Sequence, residues 1–154
     1  MTVKPTCFGA DLRPTTLDDL GLAATISQEV ERLREEGYQV DYQGELGEER
    51  LPVVAETALF RVAQEALTNV RKHAQAQRVR IELRRREDEV RLEVQDYGRG
   101  FDPTAASLRS GPGERVGLAG MQERINMLGG RLEVHSEPEG GTCVVATIHL
   151  AQVP

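Results

Sequence analysis

The amino-acid sequence predicts an α+β domain folded as a two-layer sandwich. Three observations lead there. The chain has 154 residues, 39% hydrophobic and 29% charged, which supplies apolar material for one core and too little for two. Its apolar spacing switches between the helical and the alternating period in the order helix, strand, helix, strand, strand, loop, helix, strand, strand. The strands come as hairpins and not as regular βαβ units. The sheet is therefore expected to be mixed, mostly antiparallel, with helices on one face.

Residues 10–21 are polar and broken by Pro14 and Gly21, the pattern of a linker or short turn. Leu22, Ile26, Val30 and Leu33 recur at helical spacing, and Gly37 closes that helix as a C-cap. A short strand follows at 38–43, then a charged loop to Arg50. Pro52 opens the second helix, where its missing N–H is harmless. Ala55, Leu59, Val62, Ala66 and Val70 trace its apolar face, to about Ala74. Val79, Ile81 and Leu83 alternate with charged residues. Val90, Leu92 and Val94 do the same, with a polar turn at 85–89 between the two rows. Residues 102–116 are rich in Pro, Ser and Gly and show no period. A loop of that length is expected to be a mobile lid. A helix at 118–128 ends on Gly129-Gly130, and strands at 131–136 and 142–150 are joined by a Pro- and Gly-containing turn.

Composition narrows the chemistry. With no Trp, three Phe and three Tyr, the core is expected to be aliphatic. The net charge of -6 disfavours nucleic acid as the main partner, because phosphate contacts need Lys and Arg. No apolar run approaches a membrane span, and no apolar signal segment follows Met1 to Pro5. No membrane contact by this domain is expected, and its location is expected to be cytoplasmic, whether or not a parent protein is membrane-anchored. Cys7 and Cys143 stand far apart without metal-type spacing and read as unpaired thiols of a reducing compartment.

Four motifs carry chemistry. Asp96 continues the inward row of Val90, Leu92 and Val94. A carboxylate there needs a hydrogen-bond donor, and the exocyclic amine of adenine is one. Gly98 and Gly100 let the backbone turn and approach a flat ring, beside Phe101. Glu65, Asn69 and His73 follow one another at i, i+4 and i+8 on one helix face. An Asn oxygen is a hard neutral ligand for Mg²⁺, which keeps few protein ligands. Glu65 is suited to polarise a water or act as base, and Lys72 and His73 to meet phosphate. Gly117, Leu118 and Gly120 open the third predicted helix, where free N–H groups receive an anion. Gly140-Gly141-Thr142 lies at a hairpin bend, with Thr142 on the parity of Val144, Ala146, Ile148 and Leu150, so that its hydroxyl reaches the network around Asp96. Each motif also has a plain reading: an Asp-Gly turn, a solvated helix face, a glycine hinge, a hairpin turn.

Together, in this order, the four resemble the N, G1, G2 and terminal Gly-Thr boxes of the histidine kinase/gyrase/Hsp90/MutL ATPase superfamily over residues 52–150. The stretches 64–74 and 117–124 are similar to the histidine kinase subfamily of nitrate-sensor and desaturase-sensor type. Residues 11–22 resemble the segment that joins its dimerisation helices to its ATP domain. The resemblance implies a Bergerat-type ATP-binding fold with ATP and Mg²⁺ as cofactors. It implies that Asp96 binds the adenine amine, Asn69 ligates Mg²⁺, and the Gly117–Gly120 turn cradles phosphate beneath the lid. A P-loop, the protein-kinase HRD and DFG triplets, and the third glycine of a dinucleotide fold are all absent from the sequence.

A histidine kinase needs a phosphoacceptor His, and the histidines here are His73, inside the nucleotide motif, and His135 and His149, both in strand positions. Residues 1–21 are accordingly read as a linker remnant, 22–150 as the ATP-binding catalytic domain and 151–154 as a tail. The expected partners are a dimerisation and phosphoacceptor domain and, downstream, a response regulator. The chain alone is expected not to label itself. Two alternatives remain open at this point: a self-contained serine kinase of the anti-sigma-factor type, and a nucleotide-sensing module without transfer activity.

Overall fold

The computed structural model describes residues 15–47, 49–74, 77–98, 112–137 and 140–153, and of 73–74, 112–119 and 137 the backbone alone. Its elements in chain order are α1 (Thr15–Leu20), α2 (Leu22–Glu35), β1 (Gln39–Glu45), α3 (Val53–Asn69) continued by a π-helical turn (Val70–Ala74), β2 (Arg78–Arg86), β3 (Glu89–Asp96), α4 (Pro112–Met127), β4 (Arg131–Glu137) and β5 (Gly141–His149). The strands form one sheet in the order β1-β2-β3-β5-β4. β1 runs parallel to β2, with α3 as the crossover, and the other pairings are antiparallel. The mixed α+β architecture read from the sequence stands.

Alternation sets the inner face. Val79, Ile81 and Leu83 of β2, Val90, Leu92 and Val94 of β3, and Val144, Ala146 and Ile148 of β5 are buried in register with one another. Against them lie Leu59, Val62, Ala66 and Leu67 of α3, Ile26 and Leu33 of α2, and Met121 and Ile125 of α4. The core is aliphatic, with Phe60 the aromatic among its largest fully buried side chains. Glycines end two helices. Gly37 (φ 101°) and Gly129 (φ 75°) adopt the left-handed conformation that terminates α2 and α4. Tyr38 N–H then reaches back to the Leu33 carbonyl, and Gly130 N–H to that of Ile125.

Several expectations need correction. The turn expected at 85–89 narrows to 87–88, because β2 pairs with β3 as far as Arg86 and Glu89, and the last strand ends at His149, with Leu150 opening a 3-10 turn (Leu150–Gln152). Residues 15–20 are helix and not a turn, and Leu17 is fully buried. One buried leucine against α2 holds a turn of helix too short to show a period of its own. The third helix starts at Pro112, so residues 112–116 of the expected loop are helical, and the remainder of that loop lies outside the described residues. Proline suits a first helical position, while Gly113, Gly117 and Gly120 lower the local propensity and concealed the helix. β1 begins at Gln39 and continues to Glu45, because its pairing with β2 extends that far.

Candidate nucleotide site

Asp96 closes β3, opposite Thr142 of β5 and Val79 of β2. It is 5% exposed, as its inward parity requires. Its Oδ1 accepts hydrogen bonds from the Gly98 N–H (3.0 Å) and the Thr142 N–H (3.3 Å). Burial pushes its carboxyl above the ordinary value, and the two amides pull it part of the way back. The corner beyond it is held in place. Tyr97 N–H donates to the Arg78 carbonyl at 3.2 Å, and the Arg78 guanidinium lies over the Tyr97 ring, 4.8 Å from its centroid.

Thr142 reaches Asp96 through its backbone and not, as expected, through its hydroxyl. That hydroxyl pairs with Ser136 Oγ at 2.8 Å, and Ser136 Oγ also donates to the Gly141 carbonyl. Ser136 was missed. The available signal was its place on the parity of Leu132 and Val134 at the end of an inward row. Gly141 has φ 82°, and a Cβ there would lie 2.2 Å from the Asp96 carbonyl oxygen. Glycine thus fits both the backbone conformation and the close approach of β5 to β3.

The other half of the site is helical. Glu65 and Asn69 lie one turn apart on α3, both half-buried, and α3 packs against β3, β5 and α4. Beyond Asn69 the helix widens into the π turn, so the α-helical i+8 relation expected for His73 does not hold there. Such turns often mark functional positions. Lys72 is exposed, and the His73 side chain lies outside the description. Gly117, Leu118 and Gly120 lie inside α4, more than a turn past its first residue, and not at a helix N-terminus. A Cβ on Gly120 would meet no atom within 4 Å, which leaves space beside this glycine. Gly100 and Phe101 lie outside the described residues.

Among the described residues no group of three or more His, Cys, Asp or Glu side chains is placed to hold a metal ion. The donor set fits magnesium, which takes one or two protein oxygens and fills its shell from phosphate and water. Asn69 offers such an oxygen. Cys143 is a free, half-buried thiol whose Sγ donates to Glu93 Oε1 at 3.4 Å, and burial first raises its pKa to about 12. Cys7 lies outside the description. His135 and His149 are exposed on the strands. No described helix is long and apolar enough to cross a membrane.

Residues 54–152, from the start of α3 to just past β5, match the family described as histidine kinase-, DNA gyrase B-, and HSP90-like ATPase. The chain belongs to this family. The buried Asp96 and the helix bearing Glu65 and Asn69 thus stand in an ATP-binding domain, as the motifs implied. Among its relatives is the signal transduction histidine-protein kinase/phosphatase DegS of Brevibacillus brevis, 40% identical over 139 residues. The protein of the same name from Bacillus subtilis (strain 168) is 34% identical over 143 residues. Both alignments cover 90% of this chain but 35% and 37% of those proteins, so the chain spans about a third of the relatives' length. The fold is that of the histidine kinase domain of the blue-light activated histidine kinase from Erythrobacter litoralis EL346. The TM-score is 0.67 at 22% identity, over 85% of this chain and 62% of that one.

Proposed function

We propose that this domain binds Mg–ATP and donates its γ-phosphate to a histidine on a separate dimerisation domain, within a two-component kinase that passes the phosphate to a response regulator. One observation carries the nucleotide assignment. Among the described residues the amides that reach the Asp96 carboxylate, those of Gly98 and Thr142, both end on Oδ1, and Oδ2 is the oxygen that accepts from the adenine amine. Guanine presents a carbonyl oxygen at that position and is repelled. Gly98 borders the base, and Thr142 and Ser136 hold the β5 side of its pocket; Gly100 and Phe101, assigned to the base by the motif, lie outside the described residues.

On the helix side Asn69 would hold the metal and Lys72 would contact phosphate oxygens; the motif assigns phosphate contacts also to His73, Gly117, Leu118 and Gly120, of which His73, Gly117 and Leu118 are described by their backbone alone. Bound magnesium supplies charge neutralisation on the β- and γ-phosphates. The acceptor imidazole nitrogen would form a bond to the γ-phosphorus as the bond to the ADP oxygen breaks, with Glu65 the base that takes the imidazole proton. Calorimetric titration with ATP, with and without Mg²⁺, tests binding. No heat at millimolar ATP would sink the reading. Radiolabelled ATP with a dimerisation domain supplied in trans tests transfer. The product should be acid-labile and base-stable, and the chain alone should stay unlabelled. A base-labile phosphoserine on a protein partner would instead establish a serine kinase.

A further inference from the structure

The helix that carries Glu65 and Asn69 is tied at both ends to the helices that precede it. At its C-terminal end, Arg71 of the π turn donates through Nε and Nη2 to Glu36 at 2.9 and 3.3 Å, just past α2. At its N-terminal end the tie is stronger. Arg50 donates through Nε and Nη2 to the two oxygens of Glu56, at 3.0 and 2.9 Å. The same guanidinium donates to the Leu17 carbonyl (3.0 Å) and the Asp18 carbonyl (3.2 Å) of α1. Glu56, in the first turn of α3, is 1% exposed.

These contacts depend on one another. A buried carboxylate without its cation is costly, so Glu56 stays seated where Arg50 is. Arg50 in turn is oriented by the two α1 carbonyls, and a planar fork with five donors is the group that can serve all four acceptors at once. Gly21 makes the room: a Cβ there would come within 3.2 Å of Arg50 Nε. From Glu56 to Asn69 the helix is unbroken, about 20 Å at 1.5 Å per residue. A rod pinned at its first turn carries that placement to its last.

We infer that Arg50 is a positioning residue for the nucleotide site, coupling the placement of α1 through Glu56 and α3 to Glu65 and Asn69. This rests on the proposed role of those two residues, and the test separates the two claims. On the full chain, Arg50→Lys keeps a cation beside Glu56 but loses the fork. Asp19→Pro distorts the end of α1 without touching the buried Leu17. Each is expected to weaken Mg–ATP binding about three- to ten-fold. The double variant is expected to be no weaker than the worse single one, because both break the same connection. Multiplied losses, or unchanged affinity with a lower thermal midpoint alone, would overturn the inference. Glu56→Gln, of the same size, should match Arg50→Lys and serves where that variant folds poorly. If the wild-type chain binds no ATP, the function reading fails first. The tie is then read by amide exchange: Arg50→Lys must speed α1 and α3 together, and faster exchange in α1 alone overturns it.

Discussion

The two halves of the site are built on different terms. In the strand half Asp96 and Gly141 are buried and Gly98 and Thr142 half-buried, and backbone amides fix the carboxylate at stated distances. The helix half, Glu65, Asn69 and Lys72, is half-buried to exposed, and its placement comes from the ends of α3. The strand half resembles a preformed slot for a flat base. On the proposed reading, phosphates and metal bring their own charge and ligands, so the helix half would have to present few atoms. Specificity for the base should therefore reside in the sheet and turnover in the helix.

The largest effect is expected from Asn69→Ala. Transfer to an acceptor domain in trans should fall about a hundred-fold or more, since the metal's charge stabilisation is worth several kcal/mol. ATP binding measured without metal should hardly change, and an equal loss there would place Asn69 elsewhere in the site.

Asp96→Asn should weaken ATP binding about ten- to a hundred-fold, the value of a hydrogen bond to a charged group, and erase the preference over GTP. Its effect on stability should have the opposite sign. The Asp96 pKa is raised above 3.8, chiefly by burial. An acid so raised favours its protonated form in the fold. Its contribution is complete below the ordinary value and is lost as pH rises through the raised one. Asn keeps an oxygen for Gly98 and Thr142 and carries no charge. The variant should melt no lower than wild type at neutral pH, and any gain should close as the pH falls. A variant that melts lower at pH 7 would mean that the ionised carboxylate is a net structural asset.

Gly141→Ala sharpens the same half. The strained φ and the contact with the Asp96 carbonyl should lower stability by roughly 1–3 kcal/mol in urea unfolding. ATP affinity should drop with it, because β5 carries the Thr142 amide away from Asp96. Retained stability would show that the hairpin yields easily. The smallest effect belongs to Lys72→Ala. An exposed cation near phosphate should change affinity about two- to three-fold, less at high salt. A larger, salt-independent loss would show that the helix half is closed around its ligand.

Much of this was legible in residue spacing. Period-two rows named the inner faces of β2, β3 and β5, and parity alone put Asp96 inside. Helical spacing found α2 and α3. What spacing missed depends on partners distant in the chain. α1 is helical because Leu17 packs into the core. Ser136 matters because β4 lies beside β5 and brings its hydroxyl to Thr142. α4 begins before its glycines, where local propensity argues for a loop.

The sequence by itself determined the alternation of buried and exposed residues, the glycine stops, the motif order and hence the ATPase family. These are short-range properties, set by backbone period and residue type. Only the tertiary structure decided which backbone amides meet the Asp96 carboxylate and that Arg50 joins α1 to α3. Those contacts span 46 residues from Asp96 to Thr142 and 33 from Leu17 to Arg50. No local pattern encodes them, because they exist only once strand register and helix packing bring distant atoms within hydrogen-bonding range.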